Sequence, residues 1–519
     1  MHDSEKSHFN YQIILDSILV GLVAGCGAVG YRYLLGYASQ ASGWMYSHLD
    51  IYGILAVIAF LLLSAWITYK LLVWAPYSGG SGIPQVMGEF SGLMNMQAGK
   101  IVVSKYVGGL LSMLAGMSLG REGPSIQIGS ALGKMTSSYL KRDLTKERIL
   151  ITAGAAAGLA SAFNAPIAAT LFVMEEVHKN IGTRILLPAL LASLTSDFIS
   201  KLVFGMDPSF HIRVQEAMPW QDYGYLIGLG LVTAVVGYCF SQLLLSLQTL
   251  NKRFIPNIWL RVTLGFLVAG LTGYFLFNLT GSGHDKVVEL LNQPAGLQFL
   301  VLFLAGKLIY TCICYDSGVP GGIFLPVLVL GALSGMVYFQ GLTSLGLDVD
   351  PFMRHFVIFG MAGILTAVVR SPITSILLVS EMTGSLSHIL SIAIVAAVAY
   401  LATEVVELKP IYDSLYERMF DNVKAINLSP EKVTLQYVVP AFSDLVGMEI
   451  KDMALPEDAL IIDLVRSEVS LIPRGRTRLA GLDQLTIMCN LASAGQVRDY
   501  FRRLGDDAGP AQSSREDLE

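Results

Sequence analysis

The amino-acid sequence predicts an all-α polytopic membrane protein made of two homologous halves, followed by a small α+β domain. Three observations lead to this fold class. Only 14% of the 519 residues are charged and 53% are hydrophobic, whereas soluble domains carry about 25% charged residues. Motifs of Gly and Pro in the first half of the chain recur in the second half at a nearly constant offset. After Tyr412 the composition becomes more polar.

Eight apolar runs approach the length of about 20 residues that a helix needs to cross the hydrocarbon core. They are Ile13–Gly36, Ile51–Val73, Ile149–Met174, Ile185–Phe204, Tyr223–Leu247, Trp259–Phe277, Leu297–Cys314 and Phe356–Leu401. The last run is long enough for more than one span. Residues 1–11 are polar and lack the cationic start and the cleavage site of a removable signal peptide. The sequence therefore predicts a membrane domain over residues 12–418, with halves at 12–205 and 220–418.

The two halves are recognised by an internal repeat. A Gly-x-x-x-Pro-x-x-x-x-Gly-x-x-x-Gly pattern begins at Gly120 and again at Gly322, an offset of 322 − 120 = 202. Two further matches have offsets of 201 and 206: Gly80-Ser81-Gly82 with Gly281-Ser282-Gly283, and Asn164-Ala165-Pro166 with Arg370-Ser371-Pro372. Paired, interrupted hydrophobic segments of this kind point to an ion site near the middle of the membrane. Hydropathy leaves open whether the halves are parallel or inverted.

Three Gly and Pro breaks are each followed by an apolar helix. They are Gly80-Ser81-Gly82-Ile83-Pro84, Gly120-Arg121-Glu122-Gly123-Pro124 and Gly322-Ile323-Phe324-Leu325-Pro326. A helix that starts at such a break presents free backbone N–H groups and its positive dipole end, which together favour an anion. Ser81 adds a hydroxyl donor, whereas the third break offers only the amides of Ile323 and Phe324. Amides and hydroxyls hold an anion weakly enough for it to leave.

Only the second break carries a carboxylate, Glu122, and its repeat partner is Phe324. A charged side chain near the bilayer centre costs at least about 2.5–3.5 kcal/mol on insertion scales, so it persists mainly where it lines a cavity or is paired. When ionised, the Glu122 carboxylate would compete with an anion for the site, and when protonated it would withdraw. The alternative is a simple structural pair between Arg121 and Glu122.

These three motifs resemble the anion-binding motifs of the CLC family of chloride channels and chloride/proton exchangers, in the same order and spacing. The segments Gly154–Gly158 and Phe163–Pro166 resemble the next block of that family, so the resemblance covers residues 12–418. It implies a homodimer with one pore in each subunit and two inverted halves of tilted, broken helices. It also implies that chloride is bound by Ser81, the amides of Ile323 and Phe324, and the hydroxyl of Tyr412, and that Glu122 is the external gating glutamate.

Exchangers of this family usually keep a second, inner glutamate that passes protons, and Glu176 falls on that position. Glu175 has a repeat partner, Glu381, and is predicted to be structural, whereas Glu176 aligns with Met382. We therefore expect a proton-coupled chloride antiporter, with a passive voltage- or ligand-gated chloride channel as the alternative. One departure concerns Lys105. Residues 85–87 lack the acidic side chains that some bacterial relatives carry, so Lys105 is expected to lack a familiar partner.

Other functions are less favoured by the residues. Val235–Cys239 is close to the filter sequence of potassium channels, but it lies within an apolar run and lacks the final Gly and a preceding break. Ser81 and Tyr412 fit the chloride pattern better than the pattern of a fluoride-selective relative. The expected partners are chloride, protons and the lipid bilayer, and we expect no enzymatic activity, cofactor, metal or nucleic acid.

The polar end of the chain is predicted to comprise a linker at residues 419–431, a cytosolic domain at 432–505 and a disordered tail at 506–519. The stretch Leu471–Leu485 resembles the C-terminal domain of TrkA-type potassium-conductance regulators, which implies either a site for a small ligand or a dimer clamp. It also suggests a rival hypothesis, a regulator-gated potassium or sodium transport subunit. The protein is expected in the cell (inner) membrane of a prokaryote, with both termini in the cytosol.

Overall fold

The computed structural model of this protein describes residues 11–47, 50–179, 182–206, 210, 212, 218–384, 386–424, 432–441, 443–456, 458–466, 469–490 and 493–506. They form two compact units. The first, called the membrane unit here, comprises Met1–Met87 and Met96–Leu415, and the second, called the tail unit, comprises Gly88–Asn95 and Tyr416–Glu519. Residues 1–10, 425–431 and 507–519, which hold most of the predicted terminal segments and of the predicted linker, lie outside the described residues.

Within the described part of the membrane unit, two sets of eight helices follow one another. The first set is α1 Tyr11–Ser47, α2 Ile51–Trp74, α3 Ile83–Phe90, α4 Ala98–Leu114, α5 Glu122–Tyr139, α6 Leu144–Phe163, α7 Pro166–Phe172 and α8 Thr183–Phe204. The second set is α9 Gly224–Phe254, α10 Ile258–Phe275, α11 His284–Asn292, α12 Leu297–Asp316, α13 Phe324–Ser344, α14 Met353–Val369, α15 Pro372–Thr383 and α16 Ile389–Val405. The third and the seventh helix are the shortest in both sets, as expected for two homologous halves.

Equivalent residues of the two halves contact each other reciprocally. Gly120 N donates to Gly322 O at 2.6 Å, and Gly322 N donates to Gly120 O at 2.8 Å. Helix α5 packs against α6 just as α13 packs against α14, with Gly129 closely apposed to Gly154 and Gly331 to Gly360. A Cβ on Gly129 would lie 2.1 Å from Gly154 O, so these glycines serve close packing of helices in lipid. The reciprocal contacts indicate a pseudo-two-fold relation between the halves.

Eight of the described helices are long and apolar enough to cross a membrane. Two predicted runs contain more than one helix, and more than one span was expected for the last of them. The run Ile149–Met174 is split at Asn164, which has a φ of 56° and ends α6, and the run Phe356–Leu401 is divided among α14, α15 and α16. Both α6 and α14 end in a left-handed residue, Asn164 and Arg370, two residues before a proline that begins the next helix. A proline disfavours helical backbone at the residue before it and is itself favoured in the first turn of a helix. These two runs therefore divide at Pro166 and Pro372, and each run is longer than the helices within it.

The tail unit contains a four-stranded antiparallel sheet in the order β1-β4-β2-β3. The strands are β1 Lys432–Val438, β2 Leu460–Arg466, β3 Val469–Leu471 and β4 Gln484–Asn490. Helix α18, Ala494–Asp506, places Val497 and Phe501 in the core of this unit, which agrees with the amphipathic pattern of its sequence. A turn follows β3, where Thr477 N donates to Arg474 O at 2.8 Å.

Helix α17, Ile411–Lys424, differs from the sequence expectation of a linker beginning at residue 419. Its residues Ile411, Tyr412, Leu415 and Tyr416 are buried, with the spacing of one helical face. The helix continues through residues 419–424, whose charged composition predicted a connector. The remaining residues of the predicted linker lie outside the described chain.

Candidate functional site

The three Gly and Pro breaks come together in the membrane unit. The backbone pair between Gly120 and Gly322 joins the second break to the third. The first break is joined to the residues just before the third, because Gly321 N donates to Gly80 O at 3.0 Å and Gly80 N donates to Val319 O at 3.1 Å. Helices α3, α5 and α13 therefore begin close to one another, with their free N–H groups and positive dipole ends in the same region.

Ser81 lies at the start of α3 and is only 1% exposed. Gly80 and Gly82, on either side of it, have φ values of +62° and +96°, which glycine adopts without strain. A Cβ on Gly82 would lie 2.5 Å from the Gln127 side-chain oxygen, and a Cβ on Gly123 would lie 2.7 Å from Ser81 O. The glycines of the first two breaks thus allow α5 to approach Ser81 closely.

Aromatic side chains connect the third break to Tyr412. The ring of Phe172 lies edge-on to Phe324, with centroids 5.6 Å apart, and edge-on to Tyr412 at 6.4 Å. Phe163 also packs on Phe324 at 5.3 Å. Tyr412 is fully buried at the beginning of α17. The structure therefore brings Phe324 and Tyr412, which are 88 positions apart in the chain (412 − 324), into one aromatic cluster.

Glu122 is the first residue of α5 and is fully buried. A Cβ on Gly120 would lie 2.3 Å from Glu122 Oε2 and 3.2 Å from Leu325 N, so the carboxylate folds back towards the first turn of α13. Among the described residues, neither carboxylate oxygen accepts a hydrogen bond of good geometry. The Arg121 Nε atom is 3.8 Å from Glu122 Oε1, and Arg121 instead donates to Ala162 O. The contact with Arg121 is thus long and leaves the carboxylate facing the N-terminus of α13.

Lys105 does have a partner, although not an acidic one. Its side chain is fully buried, and Nζ donates to Gly80 O at 2.7 Å, next to Ser81. Lys307, at the repeat position 105 + 202 = 307, is also fully buried and donates to Leu279 O and Gly281 O at 2.8 and 2.6 Å. Each lysine thus fixes the Gly-Ser-Gly turn of its own half. The sequence analysis did not identify Lys307, although the repeat offset pointed to it.

Tyr315 is a second residue that the sequence analysis did not identify. Its hydroxyl interacts with Ser81 and would lie 3.3 Å from a Cβ on Gly80, and the side chain is 5% exposed. The repeat gave no indication of it, because its counterpart at 315 − 202 = 113 is Met113. A tyrosine within an apolar helix resembles any other core residue in sequence.

The two inner glutamates differ in their hydrogen bonds. They lie on a π-helical turn, Val173–His178, that follows α7. Glu175 Oε2 accepts from the Thr374 N–H at 2.9 Å and from the Thr374 hydroxyl at 2.7 Å. Glu176 is 3% exposed, and its Oε2 accepts a single hydrogen bond, from the Ser371 hydroxyl at 2.9 Å. Its Oε1 has no hydrogen-bond partner in the described part of the chain.

A cavity of about 260 Å³ lies beside this pair of glutamates. It is lined by Met174, Glu175, Glu176, Lys179, Arg370, Ser371 and Pro410. Lys179 forms an ion pair with Asp413, and Arg370 forms one with Glu404. The cavity is therefore bordered by charged side chains, and it is large enough to hold several water molecules, since a water occupies about 30 Å³ of liquid volume.

The region resembling a potassium-channel filter forms no break. Val235–Cys239 lies inside the continuous helix α9, where the backbone carbonyls are used by the helix itself. This segment cannot present the ring of free carbonyls that a cation filter needs.

Comparison with known proteins shows two family matches. Residues 60–404 match the family described as voltage gated chloride channel, and residues 435–502 match the TrkA-C domain. The H(+)/Cl(-) exchange transporter ClcA of Vibrio cholerae is 32% identical over 434 residues, which cover 81% of this chain and 92% of that protein. The ClcA of Vibrio campbellii is 31% identical over 432 residues, or 80% of this chain and 91% of that protein.

Solved structures of similar proteins share the fold. A slow cyanobacterial Cl-/H+ antiporter has a TM-score of 0.73 and 30% identity, covering 79% of this chain and 98% of its own. A CLC-type fluoride/proton antiporter has a TM-score of 0.67 and 25% identity with the same coverage. A eukaryotic CLC transporter, at 18% identity and a TM-score of 0.66, matches over 86% of this chain and 79% of its own and is similar in fold.

Proposed function

This chain belongs to the voltage-gated chloride channel family, and we propose that it is an antiporter that exchanges chloride for protons across a membrane. The relatives that cover most of its length are named as chloride/proton exchange transporters. Its task is transport rather than chemical conversion of a substrate. The observation that carries the proposal is the convergence of three helix N-termini around Ser81, with the lone carboxylate of Glu122 beside them.

Chloride is bound where these N-termini meet. Ser81 and Tyr412 supply hydroxyl donors, and Ile323 and Phe324 supply the first N–H groups of α13, which have no partner within the helix. Such neutral donors stabilise an anion without a full positive charge, which allows both entry and exit. The aromatic contact through Phe172 supports the placement of Tyr412 near Phe324.

Glu122 acts as the gate and as the outer proton acceptor. Its carboxylate faces the first turn of α13 and therefore occupies a position that suits an anion. Ionised, the side chain competes with chloride for the N–H groups. Protonated, it has no charge to hold it there, so it withdraws and chloride passes. One proton taken up at Glu122 is thus linked to the movement of anions.

Glu176 relays protons between the solution and Glu122. It lines the cavity of about 260 Å³, whereas its repeat partner Met382 cannot carry a proton. Glu175 and its repeat partner Glu381 both accept backbone N–H groups of a facing helix, which supports a structural role for them. The remaining asymmetric carboxyl group, Glu176, is therefore assigned to proton transfer.

Family membership supports a proposal for the assembly and its location. We propose a homodimer with one pathway in each subunit, in the cell (inner) membrane of a bacterium, with both termini in the cytosol. The tail unit is proposed to be a regulatory domain that either senses a small ligand or clamps the dimer. Chloride is proposed over fluoride because both hydroxyls of the chloride pattern, at Ser81 and Tyr412, are present.

The experiment that tests this function is transport by the purified protein in liposomes, with external chloride and pH recorded together. We expect a chloride gradient to drive protons in the opposite direction. Glu122→Gln, which mimics the protonated form, should keep chloride flux and abolish chloride-driven proton movement, and Glu176→Gln should do the same. Chloride flux in the wild type without any proton movement would replace the antiporter with a channel. Fluoride flux far exceeding chloride flux would overturn the choice of anion.

A further inference from the structure

The short helices α7 and α15 are capped by carboxylates from the opposite half of the protein. Glu175 accepts the N–H of Thr374 in α15, and Glu381 accepts the N–H of Ala168 in α7 at 2.8 Å. These two contacts are equivalent in the repeat, since 374 − 168 = 206 and 381 − 175 = 206. The capping is thus part of the scaffold that the two halves share.

Ser371 occupies the residue before the first turn of α15, a position where serine usually accepts a backbone N–H of the helix. It makes no such bond here. Such a serine can accept the N–H of Ile373 or of Thr374, and Glu175 has taken the second of these. The Ser371 hydroxyl is therefore free of a capping role, and it donates to Glu176 Oε2 at 2.9 Å.

The contact between Ser371 and Glu176 departs from the repeat at both ends. The counterpart of Ser371 is Ala165 (371 − 206), and the counterpart of Glu176 is Met382 (176 + 206). The shared scaffold accordingly tolerates apolar side chains at both positions. Only one of the two equivalent sites holds a buried hydroxyl and a buried carboxyl group, on Ser371 and Glu176, which are 1% and 3% exposed.

A hydroxyl suits a carboxyl group that changes its protonation state. It donates to a carboxylate, and it can accept from the same group once that group is protonated. The backbone N–H that holds Glu175 can only donate and therefore favours the ionised form alone. Ser371 can keep one oxygen of Glu176 in place throughout a transport cycle, while the other oxygen, Oε1, has no partner within the described residues.

We propose that Ser371 is a positioning residue for proton transfer, which holds the inner carboxyl group of Glu176 at the edge of the cavity in both of its protonation states. This inference rests on the proposed antiport and on the role of Glu176 within it. The hydroxyl itself neither binds chloride nor gives up its proton to another site.

The charged and titratable groups around Glu176 come from several elements. Glu175 lies on the same π-helical turn, and Lys179 directly follows that turn. Arg370 lies before α15, and Tyr412 and Asp413 lie in α17. Replacing Ser371 by alanine changes none of these groups. A change in the pH dependence of that variant therefore reports the loss of the hydroxyl.

The test uses Ser371→Ala, the residue that the first half carries at this position. In liposomes of the full-length protein we expect chloride-driven proton flux to fall roughly 3- to 10-fold, the effect of one lost hydrogen bond, with chloride flux within about 2-fold of the wild type. Loss of a donor to the carboxylate favours the protonated form. The pH at half-maximal proton flux should therefore rise by roughly 0.5–1 unit.

Two further variants separate positioning from structure. Ser371→Thr keeps a hydroxyl and should show the proton flux and the pH profile of the wild type. This expectation can be tested even when Ser371→Ala is too unstable to purify. Thr374→Val removes the hydroxyl that donates to Glu175 but keeps the backbone N–H that also donates to it. This variant should leave the pH profile unchanged. A shift of the profile in Thr374→Val equal to that in Ser371→Ala would overturn the proposal.

Failure of this inference differs from failure of the proposed function. If the wild type exchanges chloride for protons and Glu176→Gln abolishes the proton movement, but Ser371→Ala keeps the wild-type pH profile, then only the role of Ser371 is refuted. If the Ser371→Thr protein transports protons no better than the Ser371→Ala protein, the same conclusion follows. A wild type that moves no protons refutes the antiport itself.

Discussion

At the scale of single residues, the candidate anion site depends on neutral donors. Ser81 and Tyr412 are both buried and lie at the beginnings of α3 and α17. A neutral hydrogen bond contributes about 0.5–1.5 kcal/mol net, because the bond to water is lost when the bond in the site forms. Each hydroxyl should therefore tune the affinity for chloride rather than create it.

We predict that Ser81→Ala and Tyr412→Phe each weaken chloride binding about 2- to 10-fold. The phenylalanine keeps the ring that packs on Phe172, so only the hydroxyl is removed. Isothermal titration calorimetry of chloride binding to the purified protein measures the change. Ser334→Ala is the matched control, because that buried hydroxyl donates to Leu330 O within its own helix. Wild-type affinity in both Ser81→Ala and Tyr412→Phe would contradict the assignment.

The sequence predicted residues for this candidate site but not their partners. Ser81, Glu122, Ile323 and Phe324 were named from motifs, because Gly and Pro breaks have a local signature. Tyr412 lies outside the breaks and was named only from the family resemblance. Lys105 was expected to lack a familiar partner, whereas the structure gives its ammonium group the carbonyl of Gly80. A carbonyl acceptor cannot be read from a side chain in the sequence, since every residue carries one.

At the scale of elements, the Gly-Ser-Gly turns of the two halves are each fixed by a buried lysine. Lys105 holds the turn that contains Ser81, and Lys307 holds the equivalent turn beside Gly281. Both ammonium groups donate to backbone carbonyls, and hydrogen bonds from charged groups contribute about 1.5–3 kcal/mol. The scaffold is therefore similar in both halves, while only one of the turns carries a residue of the anion site.

We predict that Lys105→Met and Lys307→Met lower the thermal stability of the protein to a similar extent, corresponding to about 1–3 kcal/mol. Only Lys105→Met should also weaken chloride binding, because the carbonyl that it frees adjoins Ser81. Thermal unfolding in detergent and calorimetry with chloride distinguish the two effects. Equal losses of chloride affinity in both variants would show that the two turns contribute alike.

In the tail unit, one ion pair holds β2 to the turn before β4. Arg466 donates to both oxygens of Asp483, at 2.8 and 2.7 Å, and the Ala480 N–H donates to Asp483 Oδ2 at 2.7 Å. Burial of Asp483 opposes its ionisation, but the bonds from Arg466 and Ala480 outweigh this effect and lower its pKa. A carboxylate whose pKa is lower in the folded than in the unfolded state stabilises the fold above its unfolded pKa, and this contribution is lost as the pH falls.

We therefore predict that the tail unit loses stability below about pH 4, the unfolded pKa of Asp. Asp483→Asn should remove about 1–2 kcal/mol at neutral pH and flatten the acid dependence, a modest value because the guanidinium of Arg466 is 38% exposed and screened by water. Hydrogen exchange of the β4 amides in the full chain measures both effects. Asp463→Asn is the control, since Asp463 accepts only from Ser470 at the surface. An unchanged acid dependence in Asp483→Asn would contradict the prediction.

At the scale of the whole molecule, the transport motifs and the tail are separate. Every residue of the three breaks belongs to the membrane unit, as does Tyr412. The tail unit has its own core, which includes Leu435, Ile461, Ile487 and Phe501. Residues 88–95 also belong to that unit, and Leu93 packs against its core.

We predict that a chain ending after Val423 still exchanges chloride for protons, because no proposed transport residue is removed. Its basal rate should change moderately, since Leu93 loses its apolar partners and becomes exposed. Chloride and proton fluxes of the shortened and full chains in liposomes provide the measurement, with dimer content checked by light scattering. A shortened protein that is dimeric and yet transports nothing would show that the tail unit is required for transport.

The sequence by itself determined the local features of this protein. The length and hydropathy of the runs, the positions of the Gly and Pro breaks and the repeat offset can be read from the sequence alone. They predicted two homologous halves, a helix after each of the three breaks, and the lone carboxylate of Glu122. The place of Glu176 was implied by the family resemblance. These features follow from backbone geometry and the transfer of side chains out of water, which depend on neighbours in the chain.

Only the tertiary structure decided which distant groups meet. The reciprocal bonds of Gly120 and Gly322, the carbonyl acceptor of Lys105 and the hydroxyl of Ser371 on Glu176 join positions that are far apart in sequence. Ser371 in particular reads as an ordinary helix cap in the sequence. It becomes a partner of Glu176 because Glu175, from the other half, takes over the capping, and that substitution exists only once the two halves have packed together.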